Sequence, residues 1–228
     1  MLKPSEYKHI IWDWNGTLLN DAWLFVDIMN DVLINRNMNT ITVEKYREIF
    51  SFPVKDYYKK LGFDLNKESF HKSGMEFIKA YKKRRYEADL YPRVNTILSK
   101  LLTIRDIHHS ILSAQHQSLL NDLTKYYNIC EYFIKINGLN DYYANSKVDK
   151  GIEWMKKIGL KSKEILFIGD TDHDFEVAQA LGTDCLLISH GHHCHSRLIK
   201  TGAPVIRELK NIFHIFAIDL DSSGTAHN

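Results

Sequence analysis

Residues 165–182 read "ILFIGDTDHDFEVAQALG". A short apolar run, 165–169, ends at a glycine and reads as a buried strand, and the segment 174–181 has helical spacing. Residues 184–188, "DCLLI", form a second apolar run. Strand, helix and strand in that order make the repeating unit of a parallel sheet. The same alternation extends toward the N-terminus. Helix 94–103 ("VNTILSKLLT") leads to strand 108–113 ("HHSILS"), helix 116–126 leads to strand 131–136 ("EYFIKI"), and helix 149–158 precedes strand 165–169. The first strand is "HIIWDW" (9–14), which runs into the turn formers Asn15–Gly16. The fold class is therefore α/β, with a Rossmann-like, mostly parallel sheet.

From about Ala22 to Tyr86 the texture changes. "AWLFVDIMNDVLINR" (22–36) and the segments that follow show only the three-to-four spacing of amphipathic helices, with no comparable strand. This block reads as a helical insert. The expected organisation is a core of residues 1–20 and 88–218, a helical domain over 21–87, and a small polar tail, 219–228, that frays.

With 228 residues and 44% hydrophobic content the chain can bury a sizeable core. Lysine and arginine number 30 against 28 acids, interspersed, so nothing suggests a nucleic-acid surface. The basic run "KKRRYEAD" (82–89) reads as the solvated face of a helix. Cys130, Cys185 and Cys194 are too far apart for a redox or metal pair, which suggests a reducing compartment. The first ten residues lack the apolar core of a secretory signal, and no 18-residue apolar run suggests a membrane span. The expected location is cytoplasmic.

In open parallel sheets chemistry gathers past the carboxyl ends of the strands. The residues there are Asp13, Ser113, the loop near Lys147, and Gly169–Asp170. An acid after a strand can simply cap the next helix, where the dipole favours negative charge. However, Asp170, Asp172 and Asp174 crowd into five residues, and one cap needs one acid. Crowded carboxylates call for a cation, and hard oxygen ligands suit Mg²⁺. A divalent ion would also allow Asp13 to approach a phosphate dianion as a nucleophile. Charge developing on the phosphoryl oxygens needs donors: Ser113, an ammonium, and the backbone N–H groups of the 14–17 turn, which brings in Trp14 and Gly16 as substrate-binding positions.

"DWNGT" (13–17), Ser113 in "SILSAQ", a lysine in "NSKVDKG" (145–151) and "GDTDHD" (169–174) resemble the four motifs of the haloacid dehalogenase superfamily, in order, over residues 8–210. The helical insert resembles that family's C1-type cap. "FPVKDYYKKLGF" (52–63) and "SHGHHCHSRLIKTGAPVIREL" (189–209) resemble the phosphoglycolate-phosphatase-like branch. The resemblance implies a phosphatase acting on a small phosphorylated metabolite, with Asp13 as nucleophile and metal ligand. It adds the backbone carbonyl of Asn15 and the side chain of Asp170 as further Mg²⁺ ligands, and Asp174 as a ligand through water or a supporting acid. Ser113 and a lysine would hold the phosphoryl group; Lys147 fits best by position, with Lys150 second. Asp172 would be solvated or capping. Arg93 stands where the family often has glycine.

The chain departs from the family's Asp-x-Asp pattern at Asn15. The second aspartate normally protonates the leaving alcohol and activates water, and an amide can do neither. The metal role of this position survives, because it uses the main-chain oxygen. Acid–base assistance, worth about 10²–10⁴-fold, is then absent or supplied elsewhere. Three readings follow. The first is a phosphatase whose leaving groups depart unaided or whose acid is another residue, such as His173. The second is P–C bond cleavage resembling that of phosphonoacetaldehyde hydrolases, with a Schiff-base lysine among Lys55, Lys59 and Lys60. The third is a phosphate-ligand-binding relative with little turnover. "HGHHCH" (190–195) invites a zinc reading, but adjacent ligands on one loop rarely converge. His192 and Arg197 are positions that could face the substrate, and Tyr57–Tyr58 could supply specificity or simply pack.

Overall fold

The computed structural model describes residues 2–140 and 147–219. The expected tail therefore lies outside the described residues from 220 onward. Its core is a parallel sheet of six strands: β1 (His9–Trp12), β4 (His108–His116), β5 (Phe133–Leu139), β6 (Ile165–Gly169), β7 (Asp184–Ile188) and β8 (Val205–Ile206). They lie in the order β5-β4-β1-β6-β7-β8. The first strand sits in the middle, and the chain builds outward from it in both directions.

Successive side chains on a strand point to opposite faces, and here both faces are covered. Ile10, Trp12, Leu166, Ile168, Leu186 and Ile188 join one buried cluster. Their neighbours Ile11, Ile165, Phe167, Cys185 and Leu187 join the other. Helices α5 (Val94–Arg105) and α6 (Gln117–Tyr126) cover the first face through Leu98, Leu101, Leu120 and Leu123. Helices α7 (Lys147–Ile158) and α8 (Asp172–Leu181) cover the second through Trp154, Met155, Val177 and Ala178. This two-sided burial explains why β1, β6 and β7 read as continuous apolar runs rather than alternating ones. Two short helices, His195–Leu198 and Ile212–Ile215, close the C-terminal part.

The helical stretch lies between two short strands that the sequence pattern does not reveal, β2 (Leu19–Asn20) and β3 (Asp89–Leu90), which pair antiparallel. At two residues each they are too short for a period to show. Between them run α1 (Ala22–Ile34), α2 (Val43–Ile49), α3 (Val54–Lys60) and α4 (Phe70–Arg84). These four have their own buried cluster, including Val26, Met29, Val32, Tyr46, Tyr57 and Tyr58. The basic run at the end of α4 is partly neutralised, with Arg84 2.7 Å from Asp27 and 2.8 Å from Glu87. Arg93 precedes α5 with φ +70°, the left-handed backbone that glycine adopts without strain. No described helix is long and apolar enough to cross a membrane.

Candidate active site

Strand register places the chemistry. Trp12 pairs with Ile111 on one side and Ile168 on the other, so Asp13, Ser113 and Asp170 all fall within two residues of the last paired rung. The Asp13 amide donates to the Ile168 carbonyl at 2.8 Å, which ties the start of the loop to β6. Lys147, in the first turn of α7, reaches the same edge. The helix is held on the sheet partly by Trp154, whose indole N–H donates to Ser110 Oγ at 3.0 Å.

The Lys147 Nζ lies 2.6 Å from Asp13 Oδ1 and 2.6 Å from Asp174 Oδ1, and all three residues are buried. Asp174 uses its other oxygen locally, accepting from the amides of Asp170 (3.1 Å) and Thr171 (2.9 Å) and from the Thr171 hydroxyl (2.7 Å). Thr171 Oγ1 in turn accepts from the Asp174 amide at 3.2 Å. This is a capping box that starts α8. One carboxylate thus begins the helix and also fixes the lysine. Asp170 accepts from Thr17 Oγ1 at 2.7 Å and from the His192 amide at 2.6 Å. The loops close on it so tightly that a Cβ at Gly16 (φ +74°) or at Gly191 would run into Asp170 Oδ2.

Asp13, Asp170 and Asp174 each offer an oxygen, and these atoms lie within 4.8 Å of one another. Among the described residues this is the only such group of metal-type ligands. Burial pushes the Asp13 carboxyl up to about 8, with Lys147 pulling down and Asp174 and Asp170 pushing up. Asp170 is pushed up to about 6, again by burial first, against His192 and with Asp174. Burial opposes the charge on Lys147, but Asp13 and Asp174 more than offset it and hold its ammonium above the usual range. Ionising all three buried carboxylates would set three negative charges beside one ammonium. A divalent cation bound among Asp13, Asp170 and Asp174 fits that deficit.

Asn15 faces a different partner. Its Nδ2 donates to Asp21 Oδ2 at 2.6 Å and to the Tyr81 hydroxyl at 3.1 Å. Asp21 is fully buried and also accepts from the Gly16 amide (3.0 Å) and from Tyr81 (3.2 Å). It precedes α1 but makes no side-chain cap to that helix. His192 Nε2 lies 3.3 Å from Asp21 Oδ1, near enough to pair but poorly aligned for a hydrogen bond. Its Nδ1 meets the Tyr46 hydroxyl at 2.7 Å. Burial alone would hold His192 down, but Asp21, Asp170 and Asp13 push it above the usual histidine value.

A cavity of about 160 Å³ opens over this edge. Its core side is formed by Asp13, Asn15, Ser113, Lys147, Asp174 and His192, and its other side by α1–α4. The Ser113 hydroxyl accepts from the Gln115 amide at 3.0 Å, so its own proton is free to turn toward the cavity. The helical stretch contacts the core through Arg47, which donates to the carbonyls of Gly191 (2.8 Å) and His190 (2.6 Å).

Other sequence candidates lie elsewhere. The Trp14 indole is buried in the sheet core against Tyr127, 6.3 Å between ring centroids, and does not line the cavity. Of the turn amides, that of Gly16 is taken by Asp21 and Leu19, and that of Thr17 by the Trp14 carbonyl. Asp172 pairs with Arg197 at 2.6 Å, and Arg197 also donates to the Phe50 carbonyl, so this arginine turns from the cavity. His173 pairs with Glu176 at 3.0 Å. Lys150 sits at the surface, 3.7 Å from Glu153. Lys55, Lys59 and Lys60 do not line the cavity; Lys59 pairs with Asp56, and Lys60 donates to Ser51. The histidines of 190–195 diverge. His190 stacks on Tyr91, His192 enters the cavity wall, and His193 accepts from the Asp172 amide. Residues 141–146 of the lysine-bearing loop lie outside the described residues.

Sequence reading passed over Asp21, Thr17, Thr171 and Tyr81. Thr171-x-x-Asp174 is a legible capping signal. Asp21 before an apolar helix reads as an ordinary cap, and only the fold turns it inward. Tyr81 lies 66 positions from its partner Asn15, beyond the reach of any local pattern.

The family model described as haloacid dehalogenase-like hydrolase matches residues 10–188. A phosphoglycolate phosphatase of Pseudomonas syringae pv. tomato is 26% identical over 160 residues, covering 68% of this chain and 57% of that protein. The chain spans about half the length of the curated relatives it matches. A hydrolase of the haloacid dehalogenase-like family from Streptococcus pneumoniae superposes with TM-score 0.78 at 20% identity, covering 92% of this chain and 99% of that one. Protein Tyrosine Kinase A of Mycobacterium tuberculosis superposes with TM-score 0.77 at 18% identity, covering 92% and 98%. At such identities the superpositions establish the fold, and proteins named for different activities share it.

Proposed function

The chain belongs to the haloacid dehalogenase-like hydrolase family, and on that premise we propose that it is a Mg²⁺-dependent phosphatase of small phosphate monoesters. The observation that carries this reading is the Lys147 ammonium held 2.6 Å from both Asp13 and Asp174, beside Ser113 in one cavity wall. Lys147 and Ser113 receive the phosphoryl oxygens, where a charge and a hydroxyl aimed in advance cost no reorganisation during reaction. The Asp13 carboxylate attacks phosphorus, the P–O ester bond breaks with its electron pair leaving on the ester oxygen, which takes a proton from water, and an acyl phosphate forms on Asp13. Water then attacks that phosphorus, freeing inorganic phosphate and the carboxylate. Mg²⁺ bound by Asp13, Asp170 and the Asn15 carbonyl, with Asp174 supporting, would supply charge neutralisation between the acid and the phosphate dianion.

Residues 21–87 act as a cap in this proposal, screening the edge of the sheet from water and shaping what enters. Asn15, committed to Asp21 and Tyr81, donates hydrogen bonds but no catalytic proton. P–C cleavage through a lysine imine is not favoured, since Lys55, Lys59 and Lys60 are absent from the cavity wall. The test is phosphate release from 4-nitrophenyl phosphate in Mg²⁺, with EDTA and Asp13→Asn as controls. Release that EDTA and the substitution both abolish is expected. Turnover that survives Asp13→Asn would end the proposal.

A further inference from the structure

The cavity wall contributed by α1–α4 and the segment before α3 is largely aromatic. Phe25, Phe50, Phe52, Phe70, Phe77 and Tyr58 all line it. Several meet edge to face, as Phe25 and Phe77 do with centroids 5.2 Å apart. Such rings present positive edges and negative faces to an occupant, which favours another ring. Among the described lining residues Lys147 is the only lysine or arginine, and it already serves Asp13 and Asp174. His192 lies among Asp21, Asp170 and Asp13, and the Nδ1 of His116 meets Ser118 at 2.9 Å. A substrate with a second anionic group, such as phosphoglycolate, would set its carboxylate against aromatic rings in a wall whose lining histidines, His116 and His192, already face Ser118 and Asp21, and an ill-paired buried carboxylate is costly.

Size and chemistry agree. The whole cavity, its phosphoryl end included, measures about 160 Å³; a single benzene ring takes an apolar cavity of about 150 Å³, so one ring is the largest aromatic group it suits. Asn15 offers no proton to the leaving oxygen. A phenol such as that of tyrosine ionises near a pKa of about 10, whereas water, which alkyl alcohols resemble, ionises near about 15.7. A phenolate can therefore leave unprotonated where an alkoxide cannot.

We propose that the cavity is a subsite for an aromatic leaving group and that the substrate is a phosphate monoester of a phenol. This rests on the phosphatase reading above. In the reaction Asp13 forms a bond to phosphorus as the P–O(aryl) bond breaks. The bonding pair stays on the phenolate, which takes a proton from solvent water. A second water then splits the acyl phosphate to inorganic phosphate.

Two measurements on the full chain in Mg²⁺ test it. The first compares kcat/KM for phenyl phosphate, 2-phosphoglycolate and acetyl phosphate, the last a good leaving group without a ring. Phenyl phosphate should exceed phosphoglycolate by at least about 100-fold, the worth of burying one phenyl ring while avoiding an ill-paired carboxylate. Phosphoglycolate matching or exceeding phenyl phosphate overturns the inference and leaves the phosphatase reading standing. Release from none of the three defeats the phosphatase reading itself. The second measurement is calorimetric binding of phenylphosphonate against phosphonoacetate, which needs no turnover. Phenylphosphonate should bind about tenfold tighter or better. Equal or weaker binding overturns the aromatic subsite whatever the kinetics show.

Discussion

Position 15 offers a sharp perturbation. In Asn15→Asp an anionic oxygen replaces the amide nitrogen that now lies 2.6 Å from Asp21 Oδ2. Two unit charges at that separation repel by about 6 kcal/mol even at an effective dielectric of about 20, and Asp21 is fully buried. The pair therefore keeps one proton through neutral pH, as closely spaced carboxylates do. Position 15 lines the cavity, and the role assigned to it requires this shared proton to reach the leaving oxygen of a bound ester. Turnover of ethyl phosphate should rise by about 10²-fold or more, the lower end of what a positioned acid supplies, with little change for phenyl phosphate. The variant should also lose stability as pH rises, because its folded form binds a proton that the unfolded chain has already released. The double variant Asn15→Asp/Asp21→Asn restores one acid and one amide across the same contact and should regain that stability. The assay is phosphate release from both esters over pH 5–9 (about two units either side of neutral), with circular dichroism to establish folding. A folded Asn15→Asp protein that hydrolyses ethyl phosphate no faster than wild type at any pH would refute the role assigned to this position.

The remaining predictions concern charge. Lys147→Ala leaves Asp13 and Asp174 buried without their shared cation, so urea unfolding in EDTA should show a loss of about 3–5 kcal/mol; a variant within about 1 kcal/mol of wild type contradicts the pairing. In the metal-free protein Asp13 is pushed up to about 8 and Asp170 to about 6, both above the unfolded value of about 3.9. Groups raised in the folded state stabilise it only while protonated. Burial, however, holds His9, His109, His190 and His193 below the usual histidine value, and these stabilise it as pH rises to about 6.5. The decline in EDTA should therefore show between about pH 7 and 8, where Asp13 titrates. Added Mg²⁺ should flatten that decline, and a thermal melt whose pH slope ignores Mg²⁺ would count against these carboxylates as its ligands.

How much of this was legible in the sequence follows from the range of each interaction. The sheet was readable because its central strands β1, β6 and β7 are buried on both faces, which prints a continuous apolar run. The edge strand β8 and the β2–β3 pair escaped, since two residues cannot show a period. Asp13 and Asp170 were readable because they follow strands, and parallel register brings strand ends to one edge whatever the intervening chain does; Ser113 joins them although β4 runs on to His116, because it lies just past the rung where β1 ends. Lys147 could be ranked above Lys150 only by its place in a resembled motif; geometry separates them by burial, one fully enclosed between two acids and the other at the surface. Asp21 and Tyr81 were beyond reach, because their roles arise only when α1 and α4 fold back over the sheet edge. That difference bears on Asn15. Read locally, it is a missing acid. In the fold it is the middle of a buried hydrogen-bonded set, Asp21–Asn15–Tyr81. An aspartate at 15 would face Asp21 with like charge, so the amide and the inward-turned Asp21 are physically matched. The departure from Asp-x-Asp is thus accommodated by residues of the helical stretch, the same stretch that supplies the aromatic wall. A site that gives up its proton donor and surrounds the leaving group with rings is consistent in both respects with leaving groups that need no proton.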